Sequence, residues 1–521
     1  MNIHTLGELR ASGARLRSVK DEMRENLLGH ISRGEPTFAG VHGYERTVIP
    51  AVHNAILSKH DIILLGLRGQ AKTRILRSLT SLLDERIPVI EGCEINDSPF
   101  APSCKRCRHL AGEKGDDLPG AWLTREERYR EKLATPDVTV ADLIGDIDPI
   151  KAANQRLTYA DEEVIHYGII PRTNRGIFAI NELPDLAPRI QVALLNILEE
   201  RDLQIRGFPI RIPMDVVLVF SANPEDYTSR GNIITPLKDR IASQILTHYP
   251  QSVETAMQIT QQEAWLDRSF KAEIDIPDYV RSLVEQLAFV ARGSELVDQS
   301  SGVSARLTIA AMELLQSNME RRAVITKDPS VFPRLSDLAM LLPAITGKVE
   351  MVYEGEQQGT EVVARKLVGM AVAKLYDTKF PPVERAGAGG RDRKYGEMDS
   401  DEDDSFAVRR GKKAPPREEP KPSVPVEPNY DLVLAWFMDG NKITLSDEQP
   451  FVAYFAELNR VPKLAETARK YVQPKNDAEL AFWMEMILES LHQGLRLSRE
   501  DLDSTITFQE MMKFNVLRTV R

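Results

Sequence analysis

Gly66-Leu67-Arg68-Gly69-Gln70-Ala71-Lys72-Thr73 follows directly on the apolar run Ile62-Ile63-Leu64-Leu65. This order predicts a strand, a glycine-rich turn, and a Lys-Thr pair opening a helix. Such a turn holds a nucleotide triphosphate. Backbone N–H groups of the turn and of the helix start face the phosphates, Lys72 reaches the β- and γ-phosphates, and the Thr73 hydroxyl ligates Mg²⁺. Gly66, Arg68, Gly69, Gln70, Ala71 and Arg74 complete the cofactor-binding stretch. Ala71 stands where a second glycine is usual, and its methyl is tolerated only if φ stays negative. Alone, the octapeptide reads equally as a structural turn. The preceding strand and the helical spacing of Ile75, Leu76, Leu79, Leu82 and Leu83 favour the nucleotide.

A phosphate turn needs a polar partner on a second strand. Gly176-Ile177-Phe178-Ala179-Ile180-Asn181-Glu182 offers one, with Glu182 to polarise an attacking water and Asn181 in the position that supports Mg²⁺. Asparagine is neutral, so its hold on the metal is weaker than an aspartate's. The competing reading is a buried strand with a polar end. A third apolar run, Val216–Phe220, leads to Ser221-Ala222-Asn223-Pro224, and Asn223 there can face the γ-phosphate or simply start a turn. Arg240 closes Pro236-Leu237-Lys238-Asp239-Arg240, and Arg306 opens a helical pattern after Ser304-Ala305. Either arginine taken singly reads as a surface charge.

Cys104-Lys105-Arg106-Cys107, with His109 nearby and Cys93 eleven residues earlier, is a second cluster. Four S/N ligands for zinc, three inert reduced thiols and a redox CxxC pair all remain open.

The elements that must position these groups follow from periodicity. Residues 1–35 read as one or two amphipathic helices broken at Gly34-Glu35-Pro36. From 36 to 250, strand candidates at 62–65, 88–91, 176–181 and 216–220 alternate with helical patterns, which predicts a parallel sheet covered on both faces. Residues 251–380 are mainly helical, with patterns at 253–264, 277–290, 306–322, 334–342 and 360–375. Residues 381–428 combine a Gly/Ala run, an acidic block (397–404), a basic block (409–413) and six prolines from 415 to 428, and read as a solvated, disordered linker. Residues 429–521 regain apolar periodicity, predicting a separate small helical domain.

The whole chain has 521 residues and a net charge of −10, which argues against a basic nucleic-acid-binding surface. No apolar run nears the roughly 20 residues that span a bilayer. With three cysteines and no signal-type h-region, the expected location is cytoplasmic.

Taken in order, the motifs resemble those of AAA+ ATPases: Walker A at 66–73, Walker B at 177–182, sensor 1 at Asn223, an arginine finger at Arg240 and sensor 2 at Arg306. Phe38-Ala39-Gly40-Val41-His42-Gly43-Tyr44 resembles the segment that packs near the adenine, which brings in Val41 and Tyr44. Within that superfamily the chain is similar to the magnesium-chelatase ATPase subunit and its MoxR-like relatives. Gly69 to Thr73, residues 142–148 with 168–176, and Gly231 to Arg240 carry that narrower likeness. The resemblance spans about residues 36–375. It implies a P-loop AAA+ α/β sheet followed by a helical lid, ATP and Mg²⁺ as cofactors, and ring assembly, a hexamer, with Arg240 acting on a neighbour's nucleotide. It further implies a von Willebrand A domain protein as partner. Asn181 departs from the pattern, and so does the C-terminal region, which has no Asp-x-Ser-x-Ser motif. The first expectation is therefore an Mg²⁺-dependent ATPase that remodels or activates a partner protein. The second is a weakly hydrolysing, nucleotide-gated assembly scaffold.

Overall fold

The computed structural model describes residues 4–155, 161–205, 211–224, 231–381, 383, 430–502 and 505–511. The chain divides into two compact units, Met1–Gln262 with Asp298–Arg306, and Glu263–Val297 with Leu307–Arg521.

The first unit is built on five strands: β1 (Ile62–Leu65), β2 (Tyr129–Leu133), β3 (Gly176–Asn181), β4 (Val216–Ala222) and β5 (Ser243–Leu246). Their order is β5-β1-β4-β3-β2, all parallel. All seven residues of β4 and five of six in β3 are buried, as a sheet covered on both faces requires. Side chains alternate between two cores. Ile63, Phe178, Ile180, Leu218 and Phe220 enter one. Ile62, Leu64, Ile177, Ala179, Val217 and Val219 enter the other, together with Val19, Met23 and Leu27 of the helix Val19–Arg33. That helix ends at Gly34, whose φ of 68° is the left-handed cap that glycine favours. It is also tied to the sheet by charge, because Arg128 at the start of β2 meets Glu22 through two bonds of 2.6 and 2.7 Å, both groups buried.

Three of the four strand candidates lie in this sheet. The fourth, expected at 88–91, is a strand at Arg86–Ile90 that pairs antiparallel with Gly120–Thr124 instead. The chain from 91 to 119 leaves and returns beside its own start, so this ribbon is local to an insertion. Edge strand β2, Tyr-Arg-Glu-Lys-Leu, escapes an apolar search because an edge tolerates charge.

Of the helices expected from 251 to 380, Val253–Glu263 lies almost wholly in the first unit, and the pattern at 334–342 is a 3-10 helix, Leu335–Leu341. The second unit holds the others, at Asp278–Arg292, Arg306–Thr326 (its first residue in the other unit) and Thr360–Asp377. The linker expected at 381–428 lies almost wholly outside the described residues. The C-terminal region is helical at Asp431–Met438, Phe451–Asn459, Leu464–Tyr471 and Asp477–Gln493. It also carries a three-stranded antiparallel sheet of Ile443–Ser446, Thr505–Glu510 and Leu497–Leu502. Its apolar residues, Phe437, Trp483 and Phe508 among them, share one buried cluster with Val284, Leu315 and Tyr376. Polar groups join the same parts: buried Arg322 contacts both Asp337 and, at 2.9 Å, Asp447.

Candidate nucleotide site and cysteine cluster

In a parallel sheet, ligands bind beyond the carboxyl ends of the strands. Here the ends of β1, β4 and β3 are neighbours in register. Leu65 pairs with Ala222 and Phe220 with Ile180, and the Gly66 N–H donates to the Ala222 carbonyl at 3.1 Å. The phosphate turn, Asn223 and Asn181-Glu182 therefore leave the sheet side by side, and the turn and Glu182 lie two strand spacings apart, about 10 Å. Ser221 joins the last pair: its hydroxyl donates to Asn181 Oδ1 at 3.2 Å and accepts from the Glu182 N–H at 3.3 Å.

The turn itself is closely packed. A Cβ on Gly66 would stand 2.0 Å from Thr247 Oγ1, and one on Gly69, whose φ is +74°, would stand 2.1 Å from Ser304 Oγ. Only glycine fits either place. Lys72, at the first position of the helix Lys72–Ser78, turns its ammonium back onto the Gly66 carbonyl and, at 3.0 Å, onto the Leu67 carbonyl. Thr73 follows it, half-buried, and Arg74 stands beside Gly40. Ala71 overturns the expectation of negative φ. Its φ and ψ are 55° and 17°, left-handed, so the methyl is carried at a steric cost. Glu182 is left-handed too, at 55° and 52°.

Other segments converge on the turn. The Tyr44 hydroxyl donates to the carbonyls of Gln70 (2.9 Å) and His248 (2.7 Å), and burial pushes its pKa up to about 12, so it stays a neutral donor. Val41 is buried in the same core as Leu64 and Ile75. The Gln70 side chain accepts from Thr247 Oγ1 at 2.7 Å, and Arg68 Nε donates to the Gly302 carbonyl at 3.3 Å. Segment 298–306 thus lies against the turn, and it ends in exposed Arg306. Arg240 is placed differently: it ends the short helix Thr235–Arg240 and pairs with Glu199 at 2.6 Å. Thr247, Ser221 and Gly302 were not legible as site residues, because a lone Thr, Ser or Gly carries no spacing signal.

The cysteines gather, but His109 does not join them. Cys104 caps the helix Lys105–Lys114, and Cys107 turns into the core. His109 is two residues further, about 200° round the helix, with its side chain 74% exposed and its ring 3.6 Å from Glu113. Asp97 takes the place expected of it. One ligand atom from each of Cys93, Asp97, Cys104 and Cys107 lies within 4.8 Å of every other.

Residues 121–241 match the family model for the AAA domain of the dynein-related subfamily, a stretch that contains β3, β4, Asn223 and Arg240. This stretch of the chain is similar to an AAA domain. No curated protein matches the chain in sequence. Among solved structures it is similar to a protein from Cytophaga hutchinsonii described as an ATPase (15% identity, 69% of this chain and 97% of that one, TM-score 0.29). It is also similar to the complex of subunits BchI and BchD of magnesium chelatase (18%, 66% and 98%, TM-score 0.31). A third is RuvB of Thermotoga maritima (12%, 71% and 83%, TM-score 0.31). Likeness at that level says nothing about function. Among the described residues no helix is long and apolar enough to cross a membrane.

Proposed function

We propose that the protein is an Mg²⁺-dependent ATPase of the magnesium-chelatase and MoxR-like group, which uses hydrolysis to remodel or activate a partner protein. The observation that carries this reading is the registered row of strand ends, which sets the phosphate turn, Asn223 and Glu182 beside one another. The residues present fit the nucleotide: Gly66 and Gly69 let the turn pack tightly against Thr247 and Ser304, and Lys72 already directs its ammonium along the turn. Backbone N–H groups of 69–73, Lys72 and Arg306 would hold the phosphates, and Val41 and Tyr44 border the base. Thr73 and Asn181 would hold Mg²⁺, which screens phosphate charge when bound. Glu182 accepts a proton from water, and Asn223 orients that water. The Arg240 guanidinium serves a neighbouring subunit's nucleotide, so a ring is required. The family resemblance implies a von Willebrand A domain protein as partner.

Asn181 favours a second reading. It is neutral, and its carbonyl oxygen already accepts from Ser221, so slow hydrolysis and a nucleotide-gated scaffold are consistent with it. Steady-state hydrolysis against protein concentration separates the two. A cooperative rise that Glu182→Gln and Arg240→Ala both abolish supports the ATPase. Binding of ATP with native turnover no faster than that of Glu182→Gln sinks it in favour of the scaffold.

A further inference from the structure

The insertion between the strands Arg86–Ile90 and Gly120–Thr124 contributes nothing to the nucleotide site, yet it collects all three cysteines of the chain. Cys93 lies in the turn after the first strand, while Cys104 and Cys107 sit at the cap and first turn of the helix Lys105–Lys114. We propose that Cys93, Cys104, Cys107 and the Asp97 carboxylate form a structural zinc site.

The geometry is close to what zinc needs. A tetrahedral ion with Zn–S of about 2.3 Å and Zn–O of about 2.0 Å sets its ligand atoms roughly 3.5–3.8 Å apart. The four atoms here already lie within 4.8 Å of one another, with no disulfide among them. Backbone donors are aimed at the sulfurs: the Asp97 N–H at Cys93 Sγ and the Cys107 N–H at Cys104 Sγ, each at 3.4 Å. Those donors favour thiolate over thiol.

Asp97 makes the strongest case. It is 1% exposed. Its carboxylate receives bonds only from neutral donors, namely the N–H groups of Ser103 (3.1 Å) and Cys104 (2.8 Å) and the Ser103 hydroxyl. Among the described residues it has no ion-pair partner. A buried carboxylate next to three sulfurs calls for a cation, and these donors hold it in place as outer partners hold a metal ligand. Lys105, Arg106 and Arg108 flank the CxxC. Arg106 also donates to the Gly92 carbonyl at 2.5 Å, fixing the turn that presents Cys93. Lys105 pairs with Asp161 and Arg108 with Glu162, so Arg106 and the helix N-terminus are what offset part of the two excess negative charges of a three-thiolate, one-carboxylate zinc centre.

The test uses the full chain purified without added metal. Elemental analysis is expected to find about one zinc per chain after gel filtration, released stoichiometrically when a mercurial caps the thiols. Replacement by Co²⁺ should give a thiolate charge-transfer band and the visible bands of a tetrahedral centre. Asp97→Ala and Cys107→Ser should each lower zinc retention at least tenfold, and His109→Ala should leave it unchanged. The proposal falls if the native chain holds no zinc and its apo form gives no cobalt–thiolate band. It also falls if the native thiols form a disulfide, or if His109→Ala loses the metal while Asp97→Ala keeps it. The native-chain measurements decide the matter even if a variant fails to fold. None of these outcomes bears on the ATPase reading.

Discussion

Replacing Ala71 by glycine tests the phosphate turn at its most strained point. Alanine at φ 55° and ψ 17° pays the cost of an L-residue in the left-handed region, about 1–2 kcal/mol. Glycine removes that cost but gives back roughly 0.5–1 kcal/mol through the greater freedom of the unfolded chain. The expected net effect of Ala71→Gly is stabilisation of the first unit by about 0.5–1 kcal/mol. Nothing else is lost, since Ala71 makes no side-chain cap bond. Urea unfolding followed in that unit should show a higher midpoint at unchanged slope. The opposite sign would refute the reasoning. Were Ala71 in an ordinary helical conformation, glycine would destabilise by a similar amount, so a lowered midpoint means that the turn is not left-handed there. Ala71→Val sharpens the test, because a β-branched residue tolerates φ above zero worst of all.

Arg128→Met should destabilise the first unit by about 3–5 kcal/mol, since it strands the buried Glu22 carboxylate. The double variant Glu22→Leu/Arg128→Met should recover most of that loss in a denaturation cycle; additive losses would show that the pair is not coupled. Glu485 is fully buried, and burial raises its pKa above the ordinary 4.5. The folded state therefore keeps its proton longer than the unfolded one, and stability falls as pH rises from about 4.5 to the folded value. Its Oε2 accepts from Tyr454 and the Leu335 N–H, and its Oε1 has no hydrogen-bond partner among the described residues. Glu485→Gln should therefore gain stability on the native chain as pH rises above about 4.5, and a difference independent of pH would count against this. Asn181→Asp introduces a charge at the proposed metal position. Half-saturation by Mg²⁺ in an ATPase titration should drop roughly tenfold, the equivalent of about 1.4 kcal/mol for a charged over a neutral ligand. No change would mean that residue 181 does not reach the metal.

What could be read from sequence alone was whatever repeats with a period or carries a spacing. β1 and β3 have the bounds expected of them, because apolar runs ending in Gly or Asn-Glu have few alternative readings. The edge strand β2 was illegible, since alternating charge is also what a loop looks like. The partner of strand Arg86–Ile90 was illegible for a different reason. Local propensity announces a strand but not which neighbour it takes, and the intervening residues 91–119 chose an antiparallel return. At the cysteine cluster, proximity in sequence suggested His109. Proximity in space chose Asp97, because a helix turns the second residue after Cys107 away from it.

The same contrast separates ordinary strain from strain at the site. Among the described residues, nine other than glycine have positive φ. Lys59, Arg201, Lys327 and Leu495 each follow a helix C-terminus, where a left-handed residue is the common way to stop. Ala71 is the reverse case: it precedes its helix, so it caps no carbonyls. Its conformation serves the turn, letting the chain reverse tightly enough for Lys72 to reach the Leu67 carbonyl, five residues back. Glu182 likewise stands outside the helix-stop group, at the end of β3. Asn96, Arg175 and Lys463 also follow no α-helix C-terminus, but Ala71 and Glu182 are the two that lie six residues after β1 and directly after β3, where strain can serve a ligand.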